Sequence, residues 1–369
     1  LLVTRRSIPA SGNNPDVAKR ETKNGKRVTL MAWIERHWQR FTPVSAALCP
    51  LSALFGAAAA ARRAAYRAGL VAQTRLPVPV IVAGNITVGG TGKTPLALWL
   101  AATLRARGYM PGIVCRGYGG NSRAPQRVLP DSDPYVLGDE AVLLARRSGC
   151  EVWAGADRVA AGRSLLAGAR PTCDVVISDD GLQHYALERD VEICVVDAAR
   201  GFGNGWLLPA GPLREPTSRL ATVDAVVIHA SDGSASHPSL GGIAASIPRF
   251  AMRLAGSEFR NLRDPARRVG PGYFRGKRVH AIAGIGHPER FFSHLRALGI
   301  DFAGHPWPDH HPFTASDLAL DDADAVLMTE KDAVKCRRFA VESHWELAVD
   351  AVPDDALGER VLQLLRSRG

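Results

Sequence analysis

Three groups of residues in this 369-residue chain have types and spacings suited to phosphate chemistry. The first is GNITVGGTGKTP, running from Gly84 to Pro95. Glycines at 89, 90 and 92 let backbone N–H groups turn toward a polyphosphate with no Cβ in the way. Lys93 offers a compact positive charge to the β- and γ-phosphates, and the Thr94 hydroxyl suits Mg²⁺. Gly84, Asn85, Thr87 and Thr91 complete the loop that would wrap a nucleoside triphosphate. Thr87 stands where the usual pattern has its first glycine, so the motif is irregular. The second group is Asp179 and Asp180, which end the apolar run of CDVVISDDGLQH (173–184). Carboxylates at such an edge are where a phosphate-loop enzyme holds its Mg²⁺. The third comprises Asp139 with Glu140 at the start of a helical pattern, and Arg214 in the Gly- and Pro-rich stretch 202–216. Acids in a first turn commonly complement the helix dipole. The arginine reads equally as part of a rigid corner or as a fork for phosphate oxygens.

The elements that position these groups alternate. Short β-branched runs at 80–82, 112–115, 175–178 and 192–197 read as buried strands, and helical periodicity follows most of them. That alternation up to about residue 230 predicts one parallel-sheet α/β domain over 71–245. Phe250–Leu262 alternates like a half-buried strand and is assigned to a β-ribbon linker spanning 246–275. A second, smaller α/β domain follows over 276–369: the strand RVHAIAGIG, the helix PERFFSHLRAL, the loop GHPWPDHHPF, the strand ADAVLMTEKDAVK and a closing amphipathic helix.

Composition is that of a globular protein, with 46% hydrophobic and 22% charged residues. The net charge of +10 does not point to nucleic acid, because residues 1–30 alone hold seven Lys or Arg against Asp16 and Glu21. That basic, aperiodic segment is expected to be disordered, and Met31 reads as a natural start. Six scattered cysteines with no metal spacing indicate free thiols in a reducing compartment. Thr42–Ala61 is twenty residues without a charge, flanked by arginines and by Trp33 and Trp38. Its length would span a bilayer. Its Ala, Ser and Pro content, however, better suits a helix within 31–70 lying in an anionic membrane surface, with a core helix as the alternative.

Together the motifs GNITVGGTGKTP, Gly138-Asp139-Glu140, SDDGLQH, GFGNGWLLPAGPLREP, GIGHPERFF, PDHHPF and TEKDAVK resemble, in order, those of the tetraacyldisaccharide 4'-kinase (lipid A 4'-kinase) family. Arg200-Gly201-Phe202 departs slightly from that family's Arg-Phe-Gly. The resemblance implies transfer of the ATP γ-phosphate to the 4'-hydroxyl of an acylated glucosamine disaccharide 1-phosphate. It places this on the cytoplasmic side of a bacterial inner membrane, without nucleic acid or an obligate protein partner. It implies two α/β lobes, ATP and Mg²⁺ as cofactors, and Asp139 as catalytic base backed by His310. Arg214 would steady the transferred phosphate, and Asp179 and Asp180 would hold the metal with His184 beside them. Arg158 would lie near Asp139. Two rivals stand against this reading. A GTPase would use TEKD (Thr329–Asp332) for guanine, but Glu330 stands where that motif needs Lys or Gln. A nucleotide-binding membrane adaptor would have no use for the acidic set.

Overall fold

The computed structural model describes residues 36–117, 124–167, 173–234, 247–320 and 322–368. The segment 1–30 lies outside them. Nine strands form the larger sheet. They are β1 (Val80–Gly84), β2 (Pro111–Cys115), β3 (Gln126–Val128), β4 (Val152–Ala154), β5 (Val175–Asp179), β6 (Val191–Asp197), β7 (Ala225–His229), β8 (Arg249–Ala255) and β15 (Asp350–Pro353). Their order is β15-β8-β7-β6-β1-β5-β2-β4-β3. Only the edge strands β3 and β15 run antiparallel to their neighbours. β1 is paired on both edges by β5 and β6, and its alternate residues enter two different cores, Ile81 and Ala83 on one face and Val80 and Val82 on the other, which explains its uninterrupted apolar sequence. Pairing of Ala83 with Asp179 brings the end of β5 beside the loop that leaves β1.

The smaller sheet has the order β10-β9-β14-β13-β11-β12. Its strands are β9 (Phe259–Asn261), β10 (Arg268–Val269), β11 (Val279–Ala283), β12 (Ala303–Pro306), β13 (Ala325–Thr329) and β14 (His344–Leu347). Here the structure corrects the expected boundaries. The stretch 246–275 is not a self-contained ribbon, because β8 belongs to the large sheet and β9 to the small one. Each pairs antiparallel with a strand from the returning chain, β8 with β15 and β9 with β14. The connection between lobes therefore has two strands far apart in sequence. At their crossing a Cβ on Gly256 would lie 2.0 Å from the Ala348 carbonyl oxygen, so only glycine fits. The run ADAVLMTEKDAVK is also divided, with a strand to Thr329 and a helix from Glu330 to Cys336.

Among the helices, α1 (Pro43–Arg67) is long and apolar enough to cross a membrane, and 11% of its most apolar window is buried. Thr42 caps it by accepting from the Ser45 N–H, and Pro43 sits in its first turn. Its polarity is inverted. Ser45 and Ser52 are buried, Ser52 donating to the Leu207 carbonyl at 2.7 Å, whereas Leu51 and Leu54 are exposed. The helices α2 (Lys93–Ala106), α3 (Pro134–Leu137), α4 (Asp139–Ser148) and α5 (Arg158–Leu166) belong to the first lobe. The second lobe contributes α6 (Pro288–Ala297), α7 (Ala315–Leu318) and α8 (Glu330–Cys336).

The closing helix α9 (Asp355–Arg368) does not belong to the second lobe. Its Leu357, Val361, Leu362, Leu364 and Leu365 are buried in the core that holds Leu96, Leu100 and Ile113. Five such side chains contribute on the order of 10 kcal/mol at ~1.5–3 kcal/mol each, comparable with the whole stability of a domain, about 5–15 kcal/mol. Truncation after Asp354 is therefore expected to unfold the first lobe. Loss of cooperative melting and of nucleotide binding would check this, and a normal melt would place α9 outside the core.

Candidate active site

The loop after β1 is built to be rigid. Asn85 is fully buried, and its Nδ2 donates to the Gly89 carbonyl and to Thr91 Oγ1, both at 3.3 Å. Thr87 bridges antiparallel to Leu213, and the Val88 N–H donates to the Pro212 carbonyl at 2.9 Å. The loop is extended there, which is why a threonine replaces the usual glycine without strain. Glycine is required further on. Gly89 and Gly92 have φ of +96° and +94°, and a Cβ on Gly89 would lie 2.4 Å from the Arg200 guanidinium. Gly90 has open space beside it.

Lys93 opens α2, with Nζ 3.6 Å from Asp180 Oδ1. Thr94 Oγ1 donates to Asp179 Oδ2 at 3.0 Å. The other Asp179 oxygen is buried with no hydrogen-bond partner among the described residues. Burial, reinforced by the nearby Glu140 charge, pushes the Asp179 carboxyl up to about 7. Asp180 differs although it is adjacent. Burial would raise it too, but Lys93 and then Arg214 outweigh that and hold it at about 2. Its backbone φ of +50° belongs to the same turn, and Arg214 Nη1 lies 3.1 and 3.2 Å from its two oxygens. Asp180 thus faces two cations here, Lys93 and Arg214.

Arg158 is also placed differently from expectation. Its buried guanidinium donates to the carbonyls of Gly155, Ala156 and Asp180, at 3.2, 3.3 and 3.3 Å. It braces the Asp180 turn and makes no contact with Asp139. His184 accepts from the Arg158 backbone N–H at 3.3 Å. Burial and then the Arg158 charge lower His184 to about 4, so it is neutral.

Asp139 and His310 do come together. Asp139 begins α4 on the first lobe, and its Oδ2 is 3.0 Å from His310 Nδ1 on the second. Burial raises the Asp139 carboxyl, but His310, Lys331 and Lys335 more than offset this and hold it at about 2. Burial is the largest influence on His310 and lowers it, but the hydrogen bond to Asp139 together with the Asp139 and Asp309 charges leaves the imidazole raised. Glu140, the next residue, lines one cleft with Cys115, Arg116, Asp179 and Asp180. Glu140, at the start of α4, therefore faces the end of β5.

Two lysines of α8 were not singled out from sequence. Lys331 Nζ reaches Glu140 Oε1 at 3.0 Å, Asp309 Oδ1 at 3.3 Å and His310 Nε2 at 3.4 Å. Lys335 Nζ lies 3.6 Å from Asp139 Oδ2 and 2.9 Å from Asp332 Oδ1. Their four-residue spacing puts both on one helix face, a signal that reading TEKDAVK as a strand conceals. The same motif disposes of the guanine reading. Thr329 caps α8, and the fully buried Asp332 accepts from the Gly284 N–H and the Thr329 hydroxyl. Across the lobes, Arg290 of α6 pairs with Asp197 at the end of β6.

A profile of the family described as tetraacyldisaccharide-1-P 4'-kinase matches residues 44–366. The chain belongs to this family. It is 52% identical over 330 residues to the tetraacyldisaccharide 4'-kinase of Azoarcus sp. (strain BH72), covering 89% of this chain and 94% of the relative. The kinase of the same name from Nitrosococcus oceani is 51% identical over 334 residues, covering 90% and 94%. In three dimensions the chain is similar to LpxK from Aquifex aeolicus, solved in complex with ATP. The TM-score is 0.75 and the identity 28%, over 87% of this chain and 99% of that one.

The state of Asp179 makes a prediction that separates stability from function. Its folded pKa of about 7 lies above an unfolded value near 3.8, so burial of the anion costs stability as pH rises from 4 to 7. In metal-free buffer Asp179→Asn should melt higher than the parent chain at pH 8, by the equivalent of a few kcal/mol. The difference should vanish near pH 4. Equal melting at pH 8 would mean that the buried carboxylate carries no such cost.

Proposed function

We propose that the protein transfers the γ-phosphoryl group of ATP to the 4'-hydroxyl of a tetraacylated glucosamine disaccharide 1-phosphate. The observation that carries this reading is that the Asp139–His310 pair joins two lobes next to Glu140, which lines one cleft with Asp179 and Asp180, the partners of Thr94 and Lys93. Family membership and the names of the relatives supply the substrate class. The ATP-bound relative supplies the donor.

Each group has a task in that reaction. Phosphoryl transfer passes through a loose transition state, so positioning and charge neutralisation provide most of the rate. The loop N–H groups and the start of α2 cradle the β- and γ-phosphates, with Gly84, Asn85, Thr87, Gly89, Gly90, Thr91 and Gly92 fixing its course. Lys93 exchanges Asp180 for phosphate oxygen, and Arg214, already held by Asp180, faces the transferred group. Asp139 and His310 act as a unit that accepts the hydroxyl proton late. The carboxylate, held near 2, stays anionic, orients the imidazole and raises its basicity.

Mg²⁺ fits Thr94 and Asp179. A buried carboxylate oxygen lacks a partner beside a hydroxyl at the start of the phosphate-binding helix. Among the described residues no three His, Cys, Asp or Glu are grouped for a metal, so nucleotide oxygens would complete the coordination. When bound, the ion neutralises charge on the β- and γ-phosphates.

The inverted polarity of α1 supports attachment to a membrane surface, and the use of ATP assigns that surface to the cytoplasmic side. The helix hides serines against the loop at Leu207 and turns leucines and Phe55 outward, with Arg62, Arg63 and Arg67 at its end.

Transfer of ³²P from γ-labelled ATP to purified tetraacyldisaccharide 1-phosphate tests the reading. Lys93→Ala should lower turnover by about two to three powers of ten, as loss of a charge contact to the transition state does. Turnover near the parent level would move the phosphate site elsewhere. Deleting residues 36–63 should raise the apparent KM for lipid far more than that for ATP. An unchanged lipid KM would remove α1 from substrate access.

A further inference from the structure

Lys331 is a cation of the seam to which the reaction outlined above gives no task. It comes from the second lobe, yet its contacts span the seam: Glu140 on α4, then Asp309 and His310 on the loop before α7. Burial alone would discharge an ammonium here, but Glu140, Asp139 and Asp309 outweigh it and raise its pKa, so Lys331 stays charged. His310 presents Nδ1 to Asp139 and Nε2 to Lys331. An ammonium has no acceptor, so the contact at Nε2 requires the imidazole lone pair there and the proton on Nδ1. That is the tautomer in which Asp139 orients the ring while Nε2 keeps the capacity to take a proton.

We propose that Lys331 is a positioning residue of this reaction, one that fixes the His310 tautomer and opposes the locking of that ring as an imidazolium by Asp139. The proposal rests on the kinase reading for its consequence in turnover, not for its effect on His310. The groups around the ring are Asp139 and Glu140 from α4, Asp309 on its own loop with Oδ2 3.8 Å from Nε2, and Lys331 and Lys335 from α8. Three carboxylates favour the imidazolium. Lys331 is the cation in contact with the ring, and Lys335 acts from beyond Asp139. Removing Lys331 therefore raises the proton affinity of His310. The same ammonium ties Glu140 to Asp309, so it seats the catalytic pair as the lobes meet.

The test uses the full chain with ¹⁵N-labelled histidine, following the His310 ring shifts through a pH titration alongside turnover. In Lys331→Met the His310 midpoint should rise by about one unit or more. The acid limb of the turnover–pH profile should move with it, giving about tenfold less turnover on that limb and recovery at higher pH. The KM for ATP should change little. Lys331→Arg, which keeps the charge, should restore both midpoints. If the methionine variant does not fold, Lys331→Gln makes the same comparison with the donor retained and the charge gone. A His310 midpoint equal to that of the parent chain in the neutral variant overturns the proposal and leaves Lys331 as a strut between lobes. Failure of the parent chain to phosphorylate the lipid overturns the kinase reading instead, and the ring titration still decides the role of Lys331.

Discussion

Asp139 and His310 are 171 positions apart in the chain and 3.0 Å apart in space, on different lobes. A carboxylate only 4% exposed cannot remain ionised in such a seam without partners, because the desolvation of an unpaired ion costs several kcal/mol. The partners come from the other lobe. His310, Lys331 and Lys335 can reach Asp139 and Glu140 only when the second lobe is seated on the first. The electrostatics of the site and the arrangement of the lobes are thus one constraint.

Other features follow from that requirement. The connection between lobes is two-stranded, which limits the directions in which they can move. Gly256 crosses Ala348 at a separation that excludes a side chain, and His294 of α6 hydrogen-bonds the Gly256 carbonyl at 2.6 Å. Arg290 on Asp197 and Arg147 on Glu330 also join the two lobes. The return of β15 and α9 to the first lobe means that the chain crosses the seam twice, and the second lobe is an insertion between two parts of the first. At the end of β5, a carboxyl raised to about 7 at Asp179 and one held anionic at Asp180 show how adjacent acids acquire different charge states from their neighbours.

Much of this was legible in the sequence because its signals are local. A buried strand followed by a glycine loop and Lys-Thr specifies its own geometry, and β1, α2, β5 and α4 fall where periodicity puts them. The Asp139–His310 pair came from family resemblance, since neither a first-turn acid nor a loop histidine announces a partner so far along the chain. Long-range pairing left no local trace. The amphipathic pattern of α9 says that it packs, not on which lobe, and the alternation in 250–262 does not reveal that its two halves join different sheets. Arg158 was misplaced for a related reason. A long side chain at a helix start can turn to either flank, and the backbone carbonyl of Asp180, exposed by a positive φ, won over a carboxylate already paired. The lysines of TEKDAVK were hidden because a strand would hold them about 13 Å apart along its length, whereas one helical turn makes them neighbours.

The central claim is that the two lobes build one proton-accepting unit, and a double-mutant cycle addresses it directly. Turnover would be measured for Asp139→Ala, His310→Ala and the double variant, with melting temperatures recorded for each. Groups that act together are not additive, so the double variant should be little slower than the slower single one when each is assayed below its own melting temperature. Fully multiplicative losses would contradict the account, because they would assign the two residues independent roles on either side of the seam.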